Sequence, residues 1–374
     1  MKLLTEEQLL GVVKGKKVYI YGAGAVADLL IKRLKRYGVA IYIIMDSIGE
    51  YSERLKTKVS RFTDISTQIN KTDVVIVAAT EKDHDDIEKI LKEHEIINYH
   101  TISDRLYVVM ERLVNKRFKL QTHIVEHCNL KCKGCYHFSS LAKEEYLDLK
   151  EYERDIKQLS ILFEGNIEEI LLLGGEPLLH PEVEQFFYIT RKFLKKGKIR
   201  ILTNGLLLFK MSDAFWESIK ITNSELWVTK YPVNFDYDKA VEYANTRGVK
   251  LSFFTEEPVR TLGHQPLDLA GKRDYINNFL GCYRANNCID LKHGKVFSCI
   301  IPAEIKPFSE YFNTDFEIGP DDYVDIYAVN SAEELLEKME RPMPFCRYCN
   351  RDQIDRFGAI PWSQTEYKIE EWTV

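Results

Sequence analysis

Along this chain, short apolar runs alternate with stretches whose apolar positions recur every three or four residues, the two periods of buried strands and amphipathic helices. The first run, 17–22 (KVYIYG), leads through glycines into an amphipathic stretch that ends near Gly38. Further strands are predicted at 40–45 and 73–79, with a helix over 83–94. After a mixed, charged connector, the alternation resumes with strands at 120–126, 167–173, 198–202, 225–229 and 249–254, and helices over 150–163, 182–195 and between the last two strands. Strands that alternate with helices imply parallel sheets, so the fold class is α/β. The pattern divides into 1–104, a connector at 105–117, a second α/β region at 118–275 and a shorter, irregular region at 276–374.

Where the first strand meets its helix, Gly22, Gly24 and Ala27 fit G-x-G-x-x-A. In that motif one glycine turns the chain, the next admits a pyrophosphate and a small third residue packs helix on strand. The helix N-terminus then faces the anion. Asp46 closes the second strand, where an acid would accept from a ribose hydroxyl. A Rossmann-like domain that holds a nucleotide or nucleotide-sugar is the expectation, with a docking role and NAD redox chemistry as alternatives, since fold alone does not settle function.

The second region opens with HCNLKCKGC, which sets Cys128, Cys132 and Cys135 at spacing Cys-x3-Cys-x2-Cys. Three thiolates in so short a loop suit an iron-sulfur cluster; structural zinc, with His127 or His137 as fourth ligand, is the alternative. Downstream, IEEILLLGGEPLLHPE reads as a buried strand ending at Gly174, Gly175, Glu176 and Pro177, with glycines that let a ligand reach the backbone. The pair of motifs resembles the radical S-adenosylmethionine (SAM) enzymes. One letter departs from them, since Gly134 stands where that family commonly has an aromatic residue and Tyr136 follows the last cysteine instead.

The resemblance implies a partial (β/α)6 barrel and a 4Fe-4S cluster on Cys128, Cys132 and Cys135, whose open iron is chelated by SAM. It assigns SAM contacts to Gly174, Gly175, Glu176 and Pro177, and further polar contacts to Thr203, Asn204, Thr229 and Lys230 at later strand ends. Reductive cleavage of SAM to a 5'-deoxyadenosyl radical that takes hydrogen from a substrate is the implied reaction, with an external electron donor such as flavodoxin or ferredoxin. The C-terminal region is similar to a twitch domain, the half-length SPASM module. Five cysteines compete there for a second 4Fe-4S cluster: Cys282, Cys288, Cys299, Cys346 and Cys349. Cys282 has eleven residues before Gly294, which lies four residues short of Cys299, the module's spacing; Cys288 remains a candidate.

Composition narrows the partners. The 374 residues are 45% hydrophobic and 29% charged with net charge -5, which offers no global attraction to nucleic acid or an anionic membrane. No apolar run nears the ~18 residues that span a bilayer. MKLLTEEQLL lacks a signal peptide's order, and the cysteine usage suits metal ligation in a reducing cytoplasm. The expected substrate is a sugar, nucleotide-sugar or related small metabolite. A peptide-modifying enzyme and a non-catalytic iron-sulfur protein are the alternatives.

Overall fold

The computed structural model describes residues 6–102, 107, 111, 118–285, 287–351 and 359–374. Most of the expected connector at 105–117 lies outside them. The chain forms two compact units: one of 1–116 with the short segments Phe279–Tyr283 and Glu340–Pro342, the other of the remainder.

The first unit runs α1 (Glu6–Val13), β1 (Val18–Tyr21), α2 (Ala25–Arg36), β2 (Ile41–Asp46), a small hairpin of β3 (Tyr51–Ser52) and β4 (Thr57–Lys58), β5 (Ser60–Arg61), α3 (Phe62–Ile65), β6 (Val74–Val77), α4 (His84–Glu93) and β7 (Tyr99–Thr101). Its main sheet is parallel, in the order β5-β2-β1-β6-β7. The central strands are apolar at every position because both faces are covered. Val18, Ile20, Val74 and Ile76 pack on one side with Leu30 and Leu34 of α2, whereas Tyr19, Tyr21, Val75 and Val77 pack on the other with Phe62 and Leu91. The chain winds outward from β1 through β2 and then returns to β6, so the strand order reverses between β1 and β6, the arrangement of doubly wound folds.

In the second unit β8 (Lys119–Val125), α5 (Leu149–Leu162), β9 (Glu169–Gly174), α6 (Val183–Phe193), β10 (Lys198–Thr203), α7 (Asp213–Ile221), β11 (Glu225–Val228), α8 (Tyr237–Thr246) and β12 (Leu251–Phe253) alternate as the pattern predicts. The helices start where polar side chains can cap them: Asp148 accepts from the Lys150 and Glu151 amides, Ser212 from Phe215 and Asp236 from Lys239. Next along the chain come β13 (Thr261–Gly263), α9 (Tyr275–Leu280), whose last two residues are grouped with the first unit, the hairpin β14 (Asp290–Lys292) and β15 (Lys295–Phe297), α10 (Ile300–Glu304), β16 (Val324–Asp325) and β17 (Ala359–Pro361).

The large sheet has the order β12-β11-β10-β9-β8-β14-β15-β16. Six neighbouring strands, β12 through β14, are parallel, and β15 and β16 continue antiparallel. The described sheet is open, and it runs without a break across the expected boundary at 275–276 because β14 pairs with β8.

A buried ionic cluster fastens that junction. Lys292 of β14 bonds both Glu126, at 3.0 Å, and Glu304, while His123 of β8 lies 3.3 Å from Glu304. Burial alone would push the His123 pKa down, but Glu304 and Glu126 reverse this and hold it near 10. Protonated His123 then donates from Nε2 to Nδ1 of His137 at 2.8 Å, whose own pKa is driven far down by burial and by His123, so His137 stays neutral and accepts.

Candidate active site

The site is built where β8, β9, β10 and β11 end. Immediately after β8 the chain turns through the cysteine loop, and the loop is pinned to the end of β9 by backbone bonds. Gly175 N–H donates to Val125 O at 2.8 Å and Glu176 N–H to His127 O at 3.1 Å. This contact explains the two glycines. Gly174 has φ +153° and an added Cβ would lie 2.2 Å from Val125 O; at Gly175 a Cβ would meet His127 O at 2.1 Å. The space that glycine keeps open on this face is thus filled by protein backbone.

Cys128, Cys132, Cys135, Gly174, Gly175, Thr203, Asn204 and Thr229 line one cavity of about 110 Å³ together with His137, Ser139 and Tyr231. Parallel topology brings them together, since every contributing segment follows the C-terminal end of a strand. Glu176 stands behind the cavity wall. Its fully buried carboxylate accepts from the Thr203 hydroxyl at 2.5 Å, the Leu178 amide at 3.0 Å and the Asn204 amide at 2.9 Å. Burial raises its pKa to about 7 against those bonds. Pro177 starts the following turn and is buried. Lys230 leaves the cavity: its ammonium bonds Glu256 O at 2.8 Å and sits 3.9 Å from the Phe253 ring centroid. Tyr231, one residue on, is the side chain at the wall instead.

The three thiols fit a metal cluster by their chemistry. Cys128, Cys132 and Cys135 are free thiols. Burial pushes the Cys128, Cys132 and Cys135 pKa values up, Cys132 to about 12 with Cys135 adding to the rise, so only a strong cationic centre repays their ionisation together. Donors already point at the sulfurs. The Leu130 amide lies 3.3 Å from Cys128 Sγ, the Trp362 indole N–H 3.2 Å from Cys132 Sγ, and backbone N–H groups of His137, Ser139 and Phe138 face Cys135.

Trp362 and Trp372, near the C-terminus, both reach the cysteine loop. The C-terminal segment pairs with the cysteine loop: Lys133 N–H donates to Ser363 O at 2.9 Å, Thr365 N–H to Lys131 O at 2.8 Å and the Trp372 indole to Cys135 O at 2.9 Å. No motif signals this, because the partners lie more than two hundred residues apart in sequence. The same segment explains the departure at Gly134. This residue has φ +62°, and a Cβ there would lie 2.8 Å from Glu371 O and 3.0 Å from Ile360 Cδ1.

Among the other cysteines, Cys288 and Cys299 form an isolated parallel bridge. Cys346 and Cys349 share one turn, with the Asn278 side-chain amide donating to both their carbonyls at 2.9 Å. Cys282 belongs to the short segment grouped with the first unit.

In the first unit, Gly22 has φ +124° and a Cβ would meet Ala78 O at 2.5 Å, so its place is fixed by the neighbouring β6 end. Gly24, at the start of α2, has nothing within 4 Å of an added Cβ, and Ala27 is fully buried against the sheet. Asp46 is already engaged, since its Oδ1 accepts from the Ile48 and Gly49 amides at 2.9 and 2.6 Å.

A parallel α/β sheet whose strand ends gather a three-thiol loop, a glycine turn and polar side chains offers donors suited to a metal cluster beside a cavity. Residues 122–224 match the family model of the radical SAM superfamily. Residues 5–101 match the model for shikimate / quinate 5-dehydrogenase. Similar proteins include the molybdenum cofactor biosynthesis protein 1 of Dictyostelium discoideum, 31% identical over 30% of this chain and 18% of that protein. The GTP 3',8-cyclase of Clostridium botulinum is 28% identical over 25% of this chain and 30% of its own length. The chain thus spans less than a third of either relative. Among solved structures, BtrN in complex with AdoMet and 2-DOIA aligns at TM-score 0.38 and 14% identity, covering 62% of this chain and 92% of that one. No described helix is long and apolar enough to cross a membrane.

Proposed function

We propose that this protein reductively cleaves SAM and uses the resulting radical to take hydrogen from a sugar, nucleotide-sugar or related small metabolite. The observation that carries the reading is the single cavity onto which Cys128, Cys132 and Cys135 open opposite Gly174, Gly175, Thr203, Asn204 and Thr229. Cys128, Cys132 and Cys135 would hold a 4Fe-4S cluster, which with SAM supplies the 5'-deoxyadenosyl radical. The protein's part is to seat and shield. Glu176 ties the glycine turn to the β10 end, Thr203 and Asn204 line the cavity beside it, and Tyr231 screens the cavity wall. Reduction would come from an external donor of the flavodoxin or ferredoxin kind.

A second cluster on Cys288, Cys299, Cys346 and Cys349 would accept the electron left on the substrate and make the net reaction an oxidation. The Cys288–Cys299 bridge and the Cys346–Cys349 turn support it. The preference for a sugar or nucleotide-sugar rests on the first unit, whose doubly wound sheet and open Gly24 at the start of α2 suit a nucleotide's phosphates. The test is anaerobic 5'-deoxyadenosine production by the iron-reconstituted protein with SAM and dithionite, against nucleotide-sugars, aminocyclitols and short peptides. Stimulation by sugars bears the reading out, stimulation by peptides alone moves it to a maturase, and no product from fully iron-loaded protein removes it.

A further inference from the structure

The donors at the cysteine loop are of two kinds. Those at Cys135 are local backbone amides, and Cys128 takes the Leu130 amide at 3.3 Å with the Asn204 side-chain amide further off at 4.0 Å. The donor at Cys132 is the indole of Trp362, 230 residues away in sequence, 3.2 Å from the sulfur and carried by a segment that reaches the loop through its own backbone pairing. That pairing leaves Trp362 little freedom. β17 is hydrogen-bonded to β13 just before it, Gln364 bridges Cys132 just after it, and the Trp362 amide donates to Arg260 O at 2.9 Å. Cys132 itself is buried, so water does not compete strongly for the sulfur.

We infer that Trp362 is a positioning residue that acts through Cys132, its indole N–H raising the reduction potential of the cluster the three cysteines hold. The inference rests on the cluster assignment proposed above. A hydrogen bond to a ligand sulfur draws electron density from the thiolate and favours the reduced, more negatively charged state. This chain therefore sets its first electron-transfer step with a residue from its far end. The absence of an aromatic at position 134 belongs to the same design, because the tail backbone takes the space that side chain would need.

The test is a potentiometric titration followed by electron paramagnetic resonance, reading the reduced-cluster signal that changes when SAM is added. Wild type, Trp362→Phe and Trp362→His are compared in the full chain, with iron measured in each. Phenylalanine keeps a ring but loses the donor, so the midpoint is expected to become more negative. At a fixed potential the reduced-to-oxidised ratio is expected to fall by up to about tenfold, which is about 59 mV for one electron. Histidine, which retains a ring N–H, is expected to recover part of the shift. Full iron in Trp362→Phe with an unchanged midpoint overturns the inference, as does equal iron loss in both variants, which marks a packing role only. Iron retained by histidine but lost by phenylalanine supports it. A wild-type protein with no SAM-responsive cluster defeats the proposed function instead, and the two failures are thereby distinguished.

Discussion

At the scale of single residues, Glu176 and Gly134 show how much one position is asked to do. Glu176 satisfies three buried donors with one carboxylate. Replacing it by alanine strands them, at about 1–3 kcal/mol for each unpaired buried group. The Glu176→Ala variant is expected to unfold at lower denaturant and to retain SAM poorly, as urea titration and equilibrium dialysis would register. At Gly134 the left-handed backbone and the nearby Glu371 carbonyl leave no room for a side chain. Gly134→Phe, which restores the family's commoner letter, is expected to destabilise the protein by roughly 2–6 kcal/mol through strain and overpacking, with iron lost from the loop. Wild-type stability and iron content in that variant would show that the tail yields.

Among the elements, the join between β8 and β14 is held by ionised groups, so its strength depends on pH. Glu304 and Glu126 raise the His123 pKa from the ordinary 6.5 to about 10 in the folded chain. A group that binds its proton more tightly when folded stabilises fully below its unfolded pKa and loses that contribution as pH rises through the folded value. Stability is therefore expected to decline between about pH 6.5 and 10. Glu126 acts oppositely. Burial would raise its pKa, but His123 and Lys292 prevail and hold it well below the usual range, so its contribution is present above about pH 4.5 and is lost on acidification. Urea midpoints across pH for wild type and Glu304→Gln would test this, since removing one carboxylate should flatten the alkaline limb. Equal slopes in both would exclude His123 as the source.

For the whole molecule, the C-terminal segment and the C-terminal cysteines carry separate expectations. A chain ended before residue 359 keeps every strand of the large sheet but loses β17, the Lys133–Ser363 and Thr365–Lys131 bonds and both indole donors. It is expected to fold, with far-ultraviolet circular dichroism near that of the full chain, yet to lose the iron of the cysteine loop, about four of about eight atoms per chain. Replacing Cys346 and Cys349 by alanine is expected to lower iron from about eight to about four atoms per chain while leaving SAM cleavage without substrate in place. Unchanged iron in that variant would remove the second cluster from the proposal.

The sequence alone determined the alternation of strands and helices and the two nucleotide- and cluster-type motifs, because these depend on local period and on residues a few positions apart. Gly174, Gly175, Thr203, Asn204 and Thr229 were legible for the same reason: each ends a strand, and parallel strands end on one side of their sheet. Only the tertiary structure decided that Lys230 turns away while Tyr231 lines the cavity, since which of two consecutive side chains faces inward at a strand's end depends on the neighbours it meets. It also decided the continuation of the large sheet through β14 and the service of Trp362 and Trp372 at the cysteine loop. Those contacts join segments more than a hundred and fifty residues apart. Chain folding brings such partners together, and no spacing along the sequence encodes them.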